Sequence, residues 1–453
     1  MHVIIGGAGD VGINVAKALR SEGNDIVMID PDSNACQRAQ NLDVLVLKGN
    51  CADPSILKEA NVDTADLFIG ATGDSEINML SCALAKHTGS VKTRTIARIS
   101  GQEYLNEPSS TRFSNIGIDI AVCPELVAAM KISRILSIYN LTDIDVFAKG
   151  KVNLATVRVI QGSAIDGKML KDVALPEGCN IISIYRAGEI IIPQGDEILM
   201  MGDDAVIIYT NQKTFPELES IFGSARTVTP TFHPKKVMIA GATNVGLQLA
   251  QILEGRLQVT LIEPSQDEAE AVAKKLRKTS VICGDATDID LMRQQETGSY
   301  DIFIGAGSKE EYNILGCLIA KEMGVQRTIA LINQPSLEKT VESLGIRLAI
   351  CPRLVAASAI LQHTRRTQVS GLAMLYEGMA EALEINVKEG ASISNKPIKK
   401  TKLPEHAWIA AVIRGEQIIV PHGNDIIYPG DKIIIFARTD VIPEVERMLV
   451  SGD

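Results

Sequence analysis

The run Gly7-Ala8-Gly9-Asp10-Val11-Gly12 follows the apolar segment HVIIG, precedes a helix-length stretch, and has the G-x-G-x-x-G spacing of a pyrophosphate-binding turn. Each glycine has its own task. Gly7 permits the tight turn, Gly9 lets the main chain approach a pyrophosphate with no Cβ between, and Gly12 lets the helix pack close to the strand. The helix N-terminus then offers unpaired N–H groups and the positive end of its dipole to the phosphates. Asp30 closes DIVMID about 20 residues further on, where a carboxylate accepts hydrogen bonds from the ribose hydroxyls of an adenosine. Its charge repels a 2′-phosphate, so NAD is expected over NADP. A plain strand-end turn is the other role open to Asp30.

Further candidates lie at the carboxyl ends of strands, where open parallel sheets bind ligands. Arg98 closes RTIAR and either neutralises a phosphate or forms a surface ion pair. Gly73 and Asp74 either line the ribose side or cap a helix beginning near Ser75. Asn50 and Cys51 are expected beside the adenine. The turn then recurs as Gly241-Ala242-Thr243-Asn244-Val245-Gly246, with Glu263 in the place of Asp30. Thr243 puts a side chain where Gly9 leaves space, and Leu331 replaces Arg98. The second pocket is therefore expected to be altered, with the Thr243 hydroxyl able to hydrogen-bond a phosphate, or else its domain is purely structural.

A dehydrogenase needs a proton donor or acceptor beside the hydride acceptor, commonly His or Lys. His2, His87, His233, His363, His406 and His422 share no position between the two copies, and no G-x-S-x-G or paired Cys/His arrangement stands out. The eight cysteines contain no C-x-x-C, so neither a zinc site nor a disulfide framework is indicated. No catalytic or metal-ligating residue is expected. A nucleotide site without adjoining chemistry suits a sensor, which responds only if the nucleotide favours one domain arrangement over another. An NAD-dependent oxidoreductase with a small substrate-holding domain is the alternative, and a nucleotide-regulated scaffold a third reading.

The elements that must position these residues come twice. GNCAD (49–53) returns as GDATD (284–288), DLFIGATGDSEIN (66–78) as DIFIGAGSKEEYN (301–313), RTIAR (94–98) as RTIAL (327–331) and CPELVAA (123–129) as CPRLVAA (351–357). So long a period indicates a tandem of whole modules. Within each module, apolar strands alternate with helix-length segments, which predicts a doubly wound parallel sheet of Rossmann type. Short β-branched bursts come next, such as NLATVRVI and NIISIYR, and predict a small α+β domain with antiparallel pairing. The expected boundaries are a first Rossmann-like domain at 1–123, a connecting helix at 124–144, a small domain at 145–212, a linker at 213–233, a second Rossmann-like domain at 234–350, a connecting helix at 351–371 and a second small domain at 372–453.

Composition agrees with α/β layers: 46% of residues are hydrophobic but only 4% aromatic, and parallel strands buried on both faces are built from Val, Ile and Leu. A net charge of −10 argues against general affinity for nucleic acid, which relies on clustered Lys and Arg. HVIIG directly after Met1 leaves no room for a secretory signal, and no stretch approaches the roughly 18 uncharged apolar residues of a membrane span. A cytoplasmic chain with no direct membrane insertion is expected.

GGAGDVG with Asp30, DLFIGATGDSEIN, RTIAR, the CPELVAA helix and the order of all four parts together resemble the TrkA family of potassium-uptake regulatory subunits, over nearly the whole chain. That family carries two RCK (KTN) domains, each followed by an RCK_C (TrkA_C) domain. The resemblance implies a homotetrameric ring, peripheral on the cytosolic face of the inner membrane, docked on a TrkH-type potassium channel subunit. It also implies binding of NAD(H), and of ATP or ADP, by the residues that match: Gly7, Ala8, Gly9, Asp10, Val11, Asp30, Gly73, Asp74 and Arg98, with Gly241, Ala242, Thr243, Asn244, Val245 and Glu263 in the second copy. Thr243 and Leu331 depart from the pattern. The repeated CPxLVAA helices are candidates for packing between subunits or for intrachain connection.

Overall fold

The computed structural model describes residues 1–21, 23–89, 93–100, 113–136, 141–210, 214–222, 234–361, 363–364, 369–376 and 379–450. The first module opens with β1 (His2–Gly6), α1 (Asp10–Ser21), β2 (Asp25–Asp30), α2 (Ser33–Gln40), β3 (Leu45–Lys48), α3 (Pro54–Glu59), β4 (Leu67–Gly70), α4 (Ser75–Thr88), β5 (Arg94–Arg98), β6 (Ile120–Val122) and α5 (Pro124–Ile135). Its strands pair in parallel in the order β3-β2-β1-β4-β5-β6. The chain reverses direction across the sheet between β1 and β4, which leaves a crevice at their carboxyl ends. Ile4, Ile29, Phe68 and Cys82 are among the buried residues of this core. Acidic caps start the helices: Asp32 accepts from the Asn34 and Ala35 amides, Asp53 from Ser55, and Asp74 from Ile77, each pairing an amide that the first turn leaves unbonded.

The small domain after it is antiparallel: β7 (Leu141–Phe147), β8 (Val152–Arg158), β9 (Cys179–Arg186), β10 (Glu189–Ile191) and β11 (Asp204–Tyr209) pair in the order β10-β9-β11-β8-β7. Then comes α6 (Phe215–Phe222), inside the stretch expected to be linker; residues 213 and 223–233 of that expected linker lie outside the described residues. So do residues 137–140 of the first expected connecting helix and 362 and 365–368 of the second.

The second module repeats the plan. Its Rossmann part holds β12 (Lys236–Ala240), α7 (Asn244–Leu253), β13 (Gln258–Glu263), α8 (Gln266–Ala273), β14 (Ser280–Cys283), α9 (Ile289–Gln294), β15 (Ile302–Gly305), α10 (Glu310–Glu322), β16 (Arg327–Leu331), α11 (Glu338–Ser343), β17 (Leu348–Ile350) and α12 (Pro352–Leu361). The strand order is again that of the first, β14-β13-β12-β15-β16-β17. The last domain contains β18 (Val369–Leu375), β19 (Ala380–Asn386), β20 (Lys396–Pro397), β21 (Ala407–Arg414), β22 (Gln417–Ile419), β23 (Ile426–Ile427), β24 (Lys432–Arg438) and α13 (Ile442–Val450). Its main sheet runs β18-β19-β24-β21-β22. A paired device recurs in both small domains: Arg186 grips the buried Asp203 through two nitrogens, as Arg414 grips Asp431.

By internal packing the chain forms two compact units, residues 1–130 with 235–364 and residues 131–234 with 365–453. The first holds both Rossmann sheets, with α1 packed against α12. The second holds both small sheets, where the Ala148 amide donates to Glu384 at 2.7 Å and Tyr185 stacks on Tyr376. Among the described residues no helix is long and apolar enough to cross a membrane.

Candidate nucleotide site

The glycine turn after β1 sorts its residues by what a Cβ would meet. Gly7 has φ +110°, and a Cβ there would lie 2.8 Å from the Thr72 amide nitrogen; one on Gly12 would run into the Gly7 carbonyl oxygen. These two glycines are demanded by the backbone itself. At Gly9 a Cβ would meet nothing within 4 Å, so the fold does not require glycine there. The bare peptide at Gly9 instead borders a cavity of about 750 Å³.

Asp30 fastens this turn to the end of β2. The Ala8 amide donates to its Oδ2 at 2.6 Å and the Asp32 amide to its Oδ1 at 2.8 Å. A carboxylate has about four acceptor sites, so each oxygen keeps capacity for a ribose hydroxyl. The first-copy candidates Gly7, Gly9, Asp10, Val11, Asp30, Asn50, Cys51, Gly73, Asp74 and Arg98 all line the cavity. Ala8 does not: it is fully buried and its amide is already given to Asp30. Asp74 lines the cavity and also caps α4, so its two expected placements coexist. Asn50 turns its side-chain oxygen to the Ala52 amide. Cys51 is 2% exposed, and burial pushes its thiol up from the usual range.

Arg98 is neither a surface pair nor a fully engaged one. Its Nη2 reaches Glu125 at 3.4 Å with both side chains largely buried, and its buried Nε has no hydrogen-bond partner. An unpaired buried donor of this kind costs about 1–3 kcal/mol, and it belongs to a side chain that lines the cavity. The open face at Gly9, the spare capacity on Asp30 and this orphaned guanidinium nitrogen together fit the adenosine-diphosphate part of a nucleotide.

In the second copy the same backbone is rebuilt. Gly241 has φ +117°, a Cβ on Gly246 would strike the Gly241 carbonyl, and Glu263 accepts from the Ala242 and Ser265 amides at 2.7 and 3.0 Å. What changes is the surface it offers. The Thr243 hydroxyl donates to the Ala306 carbonyl at 2.6 Å and accepts from the Gly246 amide, capping α7. The hydroxyl expected to meet a phosphate is thus committed to the protein. Glu263 is 6% exposed, and with Gly241, Ala242 and Asn244 it stays outside the lining of the cavity. Ala242 has given its amide to Glu263, and Asn244 is exposed to solvent. Thr243 and Val245, by contrast, line the same cavity as Gly9, joined there by Leu331.

The TrkA-N domain family matches residues 3–124 and 237–352, and the TrkA-C domain family matches 154–223 and 382–450. Over 99% of both chains, this one is 34% identical to the Trk system potassium uptake protein TrkA homolog 1 of Methanosarcina mazei. The chain belongs to the TrkA family. It is likewise 34% identical to Trk system potassium uptake protein TrkA of Haemophilus influenzae, covering 99% of this chain and 98% of the relative. Solved structures share the fold at lower identity. The GsuK RCK domain gives a TM-score of 0.63 at 18% identity, covering 99% of this chain and 94% of that one. The GsuK channel bound to NAD gives 0.62 at 17%, covering 98% and 78%.

Four contributors to the site escape sequence reasoning. Asn78 accepts from the Thr72 amide and hydroxyl and donates to the Thr72 and Arg98 carbonyls, tying the end of β4 to the end of β5. Asn313 does the same between Gly307 and Leu331. The signal for this pair is the asparagine shared by the repeated segments. Glu125 and Arg353 occupy one repeat position, in CPELVAA and CPRLVAA, with opposite charge. Glu125 holds Arg98, whereas the Arg353 guanidinium contacts the Asp10 carboxylate of the first glycine turn. Through α12, which packs on α1, the second CPxLVAA helix joins the two Rossmann domains within one chain.

Proposed function

We propose that the chain is a nucleotide-sensing regulatory subunit of a potassium uptake system, binding NAD(H), and ATP or ADP, at the carboxyl edge of the first Rossmann sheet. The observation that carries the reading is Gly9: a glycine that the backbone does not need, facing a cavity that Asp30 and a partly unpaired Arg98 also line. The named relatives are potassium uptake proteins, and one fold neighbour is a channel bound to NAD. Each Rossmann domain runs in the chain into a TrkA-C domain, so a nucleotide that favours one arrangement of the Rossmann unit also biases the TrkA-C domain joined to it. The receiver is a TrkH-type membrane subunit at the cytosolic face, which this chain reaches through protein contact.

Contact with further copies of the chain, which a homotetramer would need, is supported by a repeated exposed pair. Leu80 on α4 and Ile116 are 53% and 47% exposed, and their counterparts Leu315 and Leu344 are 47% and 48% exposed. Gly117 backs onto Ala83 and Lys86 of α4, which brings the two members of the first pair onto one face. Apolar residues left bare at the same place in both copies suit burial against a second copy of this chain.

Calorimetric titration of the full chain with NADH, ADP and ATP tests the binding, and ion flux through the co-purified membrane partner tests the consequence. Binding with the nucleotide recovered unchanged, together with a change in flux, is the expected result. Consumption of NADH would favour the oxidoreductase alternative. Sedimentation of Leu80→Asp tests assembly, with a shift to smaller species expected.

A further inference from the structure

We infer that Arg353, carried by the second Rossmann domain, is a phosphate ligand of the nucleotide site in the first, so that the site is built by both halves of the chain. This rests on the nucleotide reading proposed above. The charge inventory of the cavity motivates it. Among the described residues, Asp10, Asp30, Asp74 and Glu125 line it against only Arg98 and Arg353. Three of those carboxylates have other work: Asp30 holds the Ala8 and Asp32 amides, Asp74 caps α4, and Glu125 takes Arg98 and the Ser100 hydroxyl. Asp10 is the exception. It opens α1 at the point where the helix N-terminus would receive phosphate, and its negative charge opposes that anion.

Arg353 answers this charge. It stands in the first turn of α12, its guanidinium contacts Asp10, and 42% of its side chain remains exposed. Arg38 also approaches Asp10, at 3.8 Å, but does not line the cavity. A guanidinium offers five donors in a rigid fork, so Arg353 can keep Asp10 and still present nitrogens to a phosphate oxygen. The equivalent position in the first domain is Glu125, and the second domain has Leu331 in place of Arg98. The second domain therefore carries its cation at a different position from the first, and this cation faces the neighbouring glycine turn.

The test is titration of ADP into the full chain and into Arg353→Gln, Arg353→Lys and Asp10→Asn. Arg353→Gln should weaken ADP by about tenfold or more, the scale of one lost charge-assisted hydrogen bond. Arg353→Lys should recover part of that loss, because charge returns without the fork. Asp10→Asn should tighten ADP several-fold, since it removes the opposing charge and frees Arg353. Opposite signs separate a ligand from a mere tie between domains: both substitutions break the same pair, so a purely structural contact would shift ADP affinity alike. Equal losses, or an unchanged affinity in Arg353→Gln with an unchanged unfolding midpoint, would overturn the inference. Failure of the unaltered chain to bind any of NADH, ADP or ATP would instead remove the nucleotide reading itself.

Discussion

The two glycine turns share a backbone and differ in the surface they present. Gly7 and Gly241 take the same left-handed conformation, Gly12 and Gly246 press on the same carbonyl, and Asp30 and Glu263 each receive an amide from the turn and one from the loop after the strand. These positions agree because backbone sterics and buried hydrogen bonds leave no choice. Gly9 against Thr243, Arg98 against Leu331 and Glu125 against Arg353 differ, and all six line the cavity. Duplication thus separates what builds a Rossmann turn from what the turn presents to the cavity. An acidic residue at the end of the second strand belongs with the first set as well as the second: in both copies it is a brace for the turn.

The largest effect should come from violating the shared backbone. Gly12→Ala and Gly246→Ala each drive a methyl group into a carbonyl oxygen with no flexible side chain to give way. Overpacking of this kind costs about 3 kcal/mol, and denaturant unfolding should show similar losses in both copies. A much smaller loss in either would mean that the helix can shift away from its strand. Next is the acidic brace. Asp30→Ala should weaken NAD roughly tenfold to a hundredfold, because one or two hydrogen bonds to a charged acceptor disappear. Glu263→Ala should leave NAD affinity almost unchanged, since that carboxylate is buried away from the cavity. Both should lose stability by about 1–2 kcal/mol as the Ala8 or Ala242 amide loses its partner. Equal losses of NAD affinity by calorimetry would break the distinction between the copies.

The fold was legible because its signals are local and repeated. Buried parallel strands read as apolar runs such as HVIIG and DLFIG, and the Gly7–Gly12 spacing fixes a strand, turn and helix in order. The gathering of most first-copy candidates around one cavity was legible for the same reason, since they sit at strand ends that the sequence marks. The placement of Glu263, Ala242 and Asn244 outside the cavity was not, because a match to a motif says nothing about which surface another domain covers. Nor was the contact between Arg353 and Asp10, which joins residues far apart in the chain through the packing of α12 on α1. Helix α6, inside the expected linker, shows a related limit: Phe215-Pro216-Glu217 reads as a break, yet proline in the first turn is compatible with a helix.

The smallest and most discriminating change is to exchange the one position at which the turns themselves diverge. Gly9 has room for a side chain and lies outside the left-handed region, so Gly9→Thr should not strain the backbone. A threonine there can cap α1 as Thr243 caps α7, which relative to glycine is worth about a few tenths of a kcal/mol of stability. The same side chain would stand between the peptide and a pyrophosphate and would occupy an amide that the anion needs. Stability should therefore hold or rise slightly while NAD affinity falls about tenfold. Thr243→Gly should do the converse to stability, losing a similar cap. A Gly9→Thr chain that binds NAD as well as the parent would show that the missing Cβ serves something other than phosphate approach, and the contrast between the two turns would then have to rest on Arg98 and Leu331 alone.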